Sequence, residues 1–97
     1  MNILEKEFKD KVIIKAGILL FSADDAITLI GRCQQLGLKI LGIDAFKVTA
    51  NTTQPILKHS IDYSKLNSKI KEDNWSIAKN FLKERKNLGL VFEIIYE

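Results

Sequence analysis

The chain has 97 residues, 46% hydrophobic and 28% charged, with a formal net charge of +3. That is one domain's worth of chain with enough apolar surface to offset the entropy of ordering, which argues against disorder. The mild positive charge falls short of the basic footprint that by itself points to nucleic acid, and the single cysteine, Cys33, excludes an intramolecular disulfide and fits a reducing compartment.

The first eleven residues, MNILEKEFKDK, place Glu5, Lys6, Glu7, Lys9 and Asp10 where a secretion signal needs an apolar run. The longest apolar stretch, residues 16–21, is far too short to span a bilayer, so a cytoplasmic protein is expected. Within residues 3–10, Leu4 and Phe8 are four apart and fall on one side of a short helix. Val12, Ile13 and Ile14 then form a β-branched run that favours extended structure. Residues 16–21 fit a strand or a helix equally.

From Ser22 the pattern is sharper. Ser22 is placed to accept backbone N–H bonds as N-cap, Asp25 stands at the capping-box position, and Asp24 suits the positive helix end. Ala26, Ile27, Leu29, Ile30, Cys33 and Leu36 share one side at helical spacing, and Gly37 is a natural stop. Residues 39–48 read as a strand with Leu41, Ile43 and Ala45 on one side and Ile40, Phe46 and Val48 on the other. Apolar residues on both sides imply a central strand covered on both faces or nearly so. A polar loop over 49–55 ends at the only proline, Pro55, and residues 56–63 read as a second strand. Residues 64–73 are polar and Lys-rich, a surface connection. Asp73 or Asn74 can cap a second helix over about 74–87, with Trp75, Ile77, Ala78, Phe81, Leu82 and Leu88 on its apolar side. Gly89 stops it and residues 90–96 form a last strand.

The grammar of helix, glycine, strand thus occurs twice, and no linker divides the chain. The expected fold is α+β: a small, mostly antiparallel sheet with two main helices packed on it, plus a short N-terminal helix.

Catalytic chemistry finds little support. His59 and Cys33 are single and lie on different elements, without the paired spacing of a zinc site. His59, Ser60 and Asp62 are the residue types of a triad, but residues so close together on one extended segment do not make the geometry. Gly31, Gly37 and Gly42 are too dispersed for a phosphate loop. Lys79, Lys83 and Lys86 line one side of the second helix, and Lys65, Lys69 and Lys71 precede it. Such a stripe can meet phosphates, yet no aromatic platform stands near it, and a solvated lysine face is the plainer reading. Asp44 is the residue that packing explains least, because a carboxylate inside an apolar strand must stay solvated, bind a partner or carry a raised pKa.

The strings SADDAI, GLKILGID and SIDYS, in that order, resemble immunity proteins that protect bacteria from ribonuclease toxins. The similar groups are those paired with a tRNA-cleaving E-group colicin and with toxins of contact-dependent growth inhibition systems. The residues that carry the resemblance are Ser22, Ala26, Ile27, Gly37, Leu38, Ile40 to Asp44, then TQP at 53–55 and SIDYS at 60–64. It covers roughly residues 16–97, and the first fifteen look like an added or divergent N-terminus. The resemblance implies a single immunity-type domain over 1–97 that binds a cognate toxin's C-terminal nuclease domain and blocks its active site. No enzymatic activity, no cofactor, no metal, no membrane partner and no direct nucleic-acid binding are then expected. The runner-up is a small RNA-binding domain using the lysine-rich helix face. Against a basic nuclease groove, carboxylates and aromatic anchors are the expected contacts, giving Asp44, Phe46, Asp62 and Tyr63, with Glu72, Asp73 and Trp75 as a second cluster.

Overall fold

The computed structural model of the protein describes residues 3–62 and 74–97. A short helix α1 (Ile3–Glu7) comes first, followed by a hairpin of β1 (Ile13–Lys15) and β2 (Ile18–Leu20). The two-residue turn between them has positive φ at both Ala16 and Gly17, the twist that suits a tight hairpin. Helix α2 (Ala23–Leu36) begins where the sequence predicts: Ser22 Oγ accepts from the Asp25 N–H at 3.2 Å. It ends on Gly37, whose left-handed φ of 71° lets the N–H groups of Gly37 and Leu38 cap the last turn.

Strand β3 (Ile40–Val48) follows, then β4 (Thr53–Pro55), a 3-10 turn at Leu57–His59, and β5 (Ile61–Asp62). Helix α3 (Asn74–Glu84) and β6 (Val91–Tyr96) complete the order. The main sheet is antiparallel and has β3 at its centre. β6 runs along one edge of it, and β4 and β5 share the other, with β5 beside residues 42–43 and β4 beside 46–48. The α+β class expected from the pattern is the one observed.

One face of β3 packs against the helices. Ile40, Ile43 and Ala45 join Phe92 and Ile94 of β6, with Ala26, Leu29, Ile30 and Cys33 of α2 and Ala78 and Leu82 of α3, in one buried core. The helices lie antiparallel: Lys86 reaches Asp24 at 3.4 Å near one end, and Lys79 donates to Gln34 at 3.1 Å toward the other. The N-terminal segment is part of this core. Leu4 is 1% exposed and Phe8 meets Phe21 edge-on with ring centroids 6.0 Å apart. Arg32 of α2 fixes α1 with a bidentate pair to Glu7, at 2.9 and 2.7 Å. That pair holds the Glu7 carboxyl below its ordinary value, the hydrogen bond from Arg32 being the largest cause.

Several expectations are corrected: residues 53–55, read as the end of a polar loop, form β4, and Leu36 and Ile77, read on apolar helix sides, are exposed. Ile40 faces the core together with Ile43 and Ala45, because a bulge at Leu41 shifts the register between Ile40 and Gly42 and reverses the alternation. Residues 56–63 do not form a continuous strand. The chain leaves the ladder after Pro55, makes the 3-10 turn with Leu57 82% exposed, and rejoins at Ile61. Helix α3 ends at Glu84 rather than near 87, so that Leu88, expected on its apolar side, is exposed. The connection over 64–73 lies outside the described residues.

Ser60 explains how β3 tolerates the gap on its second edge. The hydroxyl accepts from the buried Ala45 N–H at 2.9 Å and donates to the Ile56 carbonyl at 2.9 Å, while the Ile56 N–H donates to the Ala45 carbonyl at 2.8 Å. A side chain thereby stands in for a missing strand residue. Ser60→Ala leaves the Ala45 N–H buried without its acceptor, and urea unfolding should show a loss of about 1–3 kcal/mol. A loss indistinguishable from zero would mean that the hydroxyl is not the link.

Candidate functional site

Strand alternation decides what β3 presents on its other face. With Ile43 and Ala45 in the core, Gly42, Asp44 and Phe46 point away from the helices. In register, Asp44 stands opposite Glu93, and Gly42 stands between Asp62 of β5 and Ile95 of β6. Asp44 and Asp62 thus stand beside Gly42, and Glu93 stands across the ladder from Asp44. Gly42 keeps the centre of that patch low. A Cβ there would lie 3.0 Å from the Ile61 carbonyl oxygen and 3.8 Å from Ile95 Cδ1, so a side chain would force the backbone of β5 to move. The resulting shallow pocket, about 380 Å³, is lined by Leu41, Gly42, Asp44, Ile61, Asp62 and Ile95.

Asp44 and Glu93 repel one another across the ladder. Glu93 is held above the ordinary carboxylate range, first by burial, then by the charge of Asp44 and by a hydrogen bond with it. The ion pairs Arg32–Glu7 and Lys86–Asp24 lie on the helix side of the molecule, away from Asp44 and Glu93. Cross-strand like charges destabilise a sheet, and here two are set directly opposite.

The remaining predicted site residues divide. Asp62 is exposed on the same face as Asp44, so these two are brought together. Phe46 is 7% exposed, between Pro55 and Val91 in the ladder, and its ring is packing rather than an offered anchor. Trp75 is half-buried against the core at the start of α3, and its Nε1–H donates to the Leu38 carbonyl at 2.8 Å, tying α3 to the turn before β3. It stands apart from the Asp44 patch. Tyr63, Glu72 and Asp73 lie outside the described residues. Glu93 was missed by the sequence reading, although FEII carries its signal: between Phe92 and Ile94 it must face the opposite side from the core.

Other chemistry has little footing. Cys33 is fully buried, and burial pushes its thiol up to about 11, which leaves almost no thiolate at neutral pH. Ser60 is committed to the backbone of β3 and Ile56, not to His59. Among the described residues, no three His, Cys, Asp or Glu side chains lie where they could hold a metal ion, and no helix is long and apolar enough to cross a membrane. No model of a known protein family matches the chain, and no curated protein matches it.

The raised Glu93 value has a defined sign in stability. An acid that binds its proton more tightly when folded contributes stability below its unfolded value, and that contribution falls as pH rises through the interval up to the folded value. Glu93→Gln removes the penalty, so its melting temperature should exceed the parent's at pH 7 by roughly 1–3 °C and converge with it by about pH 4. Melting below the parent at pH 7 would contradict the assignment.

Proposed function

We propose that this chain is an immunity protein, which binds a cognate bacterial ribonuclease toxin domain in the cytoplasm and blocks its active site. The observation that carries the reading is the gathering of Asp44, Glu93 and Asp62 on the face of the sheet away from the helices. A ribonuclease groove must present basic groups to RNA phosphates, and a rigid set of carboxylates can occupy it in their place. The net charge of +3 is a property of the whole chain, whereas the proposed contact is local to these acidic groups. The segments that carry the family resemblance are also those that build the patch: GLKILGID contributes Gly42 and Asp44, and SIDYS contributes Asp62.

Like charges held together in the free protein favour a cationic partner over a neutral one. The guanidinium or ammonium groups of a basic cleft relieve a repulsion that already exists, which adds discrimination to attraction. The exposed Ile95 and the low Gly42 floor provide apolar area beside the charges. In contact-dependent growth inhibition such capture protects the producing cell and its siblings from their own toxin.

The lysine face of α3 is less suited to RNA than its spacing suggests. Lys79 donates to Gln34, and Lys86 falls beyond the end of α3 and pairs with Asp24, so the three lysines do not form one stripe along the helix.

A toxin gene immediately upstream is expected, and co-purification with its C-terminal nuclease domain, combined with an RNase protection assay, tests the proposal. Asp44→Ala and Asp62→Ala should each weaken binding about tenfold or more while the melting transition stays cooperative, and the loss should shrink at high salt. Full toxin activity at saturating protein would overturn the function. Unfolding of both variants would make these carboxylates structural.

A further inference from the structure

Most large apolar side chains that are exposed among the described residues stand singly in the sequence. The exception is Ile13 and Ile14, consecutive in β1 and 41% and 63% exposed. Every residue of β1 is exposed, and among the described residues the strand pairs with β2 alone. Alternation sends the two isoleucines to opposite faces of the hairpin. On the side of Ile14 the apolar surface continues into a groove of about 590 Å³ between the hairpin and β6, where Val12, Leu19 and the exposed Ile95 also lie. Contiguous exposed apolar surface with a charged rim marks a place of contact.

The open edge of β1 is a poor template for another strand. In a two-residue hairpin the pair flanking the turn, here Lys15 and Ile18, exchanges backbone bonds, so within β1 only Ile14 directs its N–H and C=O outward. Of the residues that share its direction, Val12 already donates its N–H to the Phe8 carbonyl at 3.1 Å, and Ala16 lies in the turn. A folded partner seated on one face of the hairpin leaves the other isoleucine in water, whereas a fluid apolar phase covers both. Exposed charge sets the chemistry of that phase. Lys11 and Lys15 bracket the isoleucines and Lys9 stands at the groove, against the one exposed carboxylate of residues 9–15, Asp10. Glu5 and Glu93 also line the groove and are half-buried. The same lysines work against a second copy, because antiparallel pairing of two β1 strands about Ile13 sets Lys11 opposite Lys15 twice.

We propose that the β1–β2 hairpin docks the protein on an anionic phospholipid bilayer, with Ile13 and Ile14 at the acyl boundary and Lys9, Lys11 and Lys15 among the headgroup phosphates. The hairpin lies in the interface and does not cross it, so the outward amide group of Ile14 stays within reach of headgroup water. This goes beyond the immunity reading, under which no membrane partner is expected, and its test needs no toxin.

Vesicle sedimentation with the full chain tests it, using vesicles of phosphatidylcholine alone and of phosphatidylcholine with about one third phosphatidylglycerol. The protein should bind the mixed vesicles about tenfold more tightly than the neutral ones, and the difference should vanish at about 0.5 M salt. Changing Ile13→Ser and Ile14→Ser together should weaken binding about tenfold or more, and Lys11→Gln or Lys15→Gln about fivefold each, with the melting transition unchanged. Leu57→Ser, which alters a still more exposed side chain on the 3-10 turn, should leave binding as it was. Spin-labelled lipid in the mixed vesicles should broaden the amide signals of Ile13 and Ile14 and spare that of Leu57. No sedimentation with the mixed vesicles, equal binding to both compositions, or an equal loss from Leu57→Ser would each overturn the proposal. So would two other results. Signals of Ile14 that respond to a capped hexapeptide of alternating glutamate and valine, and not to vesicles, would assign the hairpin to an acidic protein segment. Self-association without lipid that the double serine variant abolishes would assign it to a second copy.

Discussion

Everything in this molecule depends on β3 being satisfied along both edges while its two faces do different work. Nine residues must find backbone partners on each side, and no single neighbour supplies the second side. β6 covers one edge almost end to end. The other is assembled from β5, the Ser60 hydroxyl, the Ile56 backbone and β4 in turn. Because the edges are closed in this way, the face of β3 toward α2 and α3 can be wholly apolar, and the opposite face is free to carry Asp44 on a rigid backbone.

Rigidity is what gives the acidic patch its meaning. On a loop, Asp44 and Glu93 would separate to relieve their repulsion. Here strand register holds them opposite one another, so the repulsion persists and adds to burial, the larger cause, in raising the Glu93 pKa. Interactions with a cationic surface then exceed what the same carboxylates would give apart, since binding removes an unfavourable contact as it forms favourable ones. The glycine at 42 serves the same arrangement by keeping the centre of the patch low.

What was legible in the sequence follows from which forces are local. The ends of α2 were readable because Ser22 and Gly37 act within one turn of the helix. The Leu4–Phe8 spacing gave the buried side of α1, although the part that this N-terminal segment plays in the core, through Phe21 and Arg32, comes from contacts distant in sequence. The face of Ile40 was misread because the bulge at Leu41 arises only when β6 is paired against β3. The run over 56–63 looked like a strand because Ile56 and Ile61 have the right propensity, and the serine that interrupts it acts across the sheet. Asp44 was noticed because a carboxylate in an apolar run stands out alone. Glu93 escaped notice because its importance lies in its partner rather than in its own neighbours, and Phe46 was over-read because aromatic residues serve cores and interfaces alike.

The central claim is that the paired carboxylates of β3 and β6 await a cation supplied by a partner. Carbon-13 NMR titration of the Glu93 carboxyl, free and bound to the proposed toxin partner, tests it most directly. The account predicts that Glu93 titrates above the ordinary carboxylate range in the free chain and drops toward or below it in the complex, with proton release on binding between those two values. A Glu93 titration that is unchanged, or raised further, in a tight complex would contradict it.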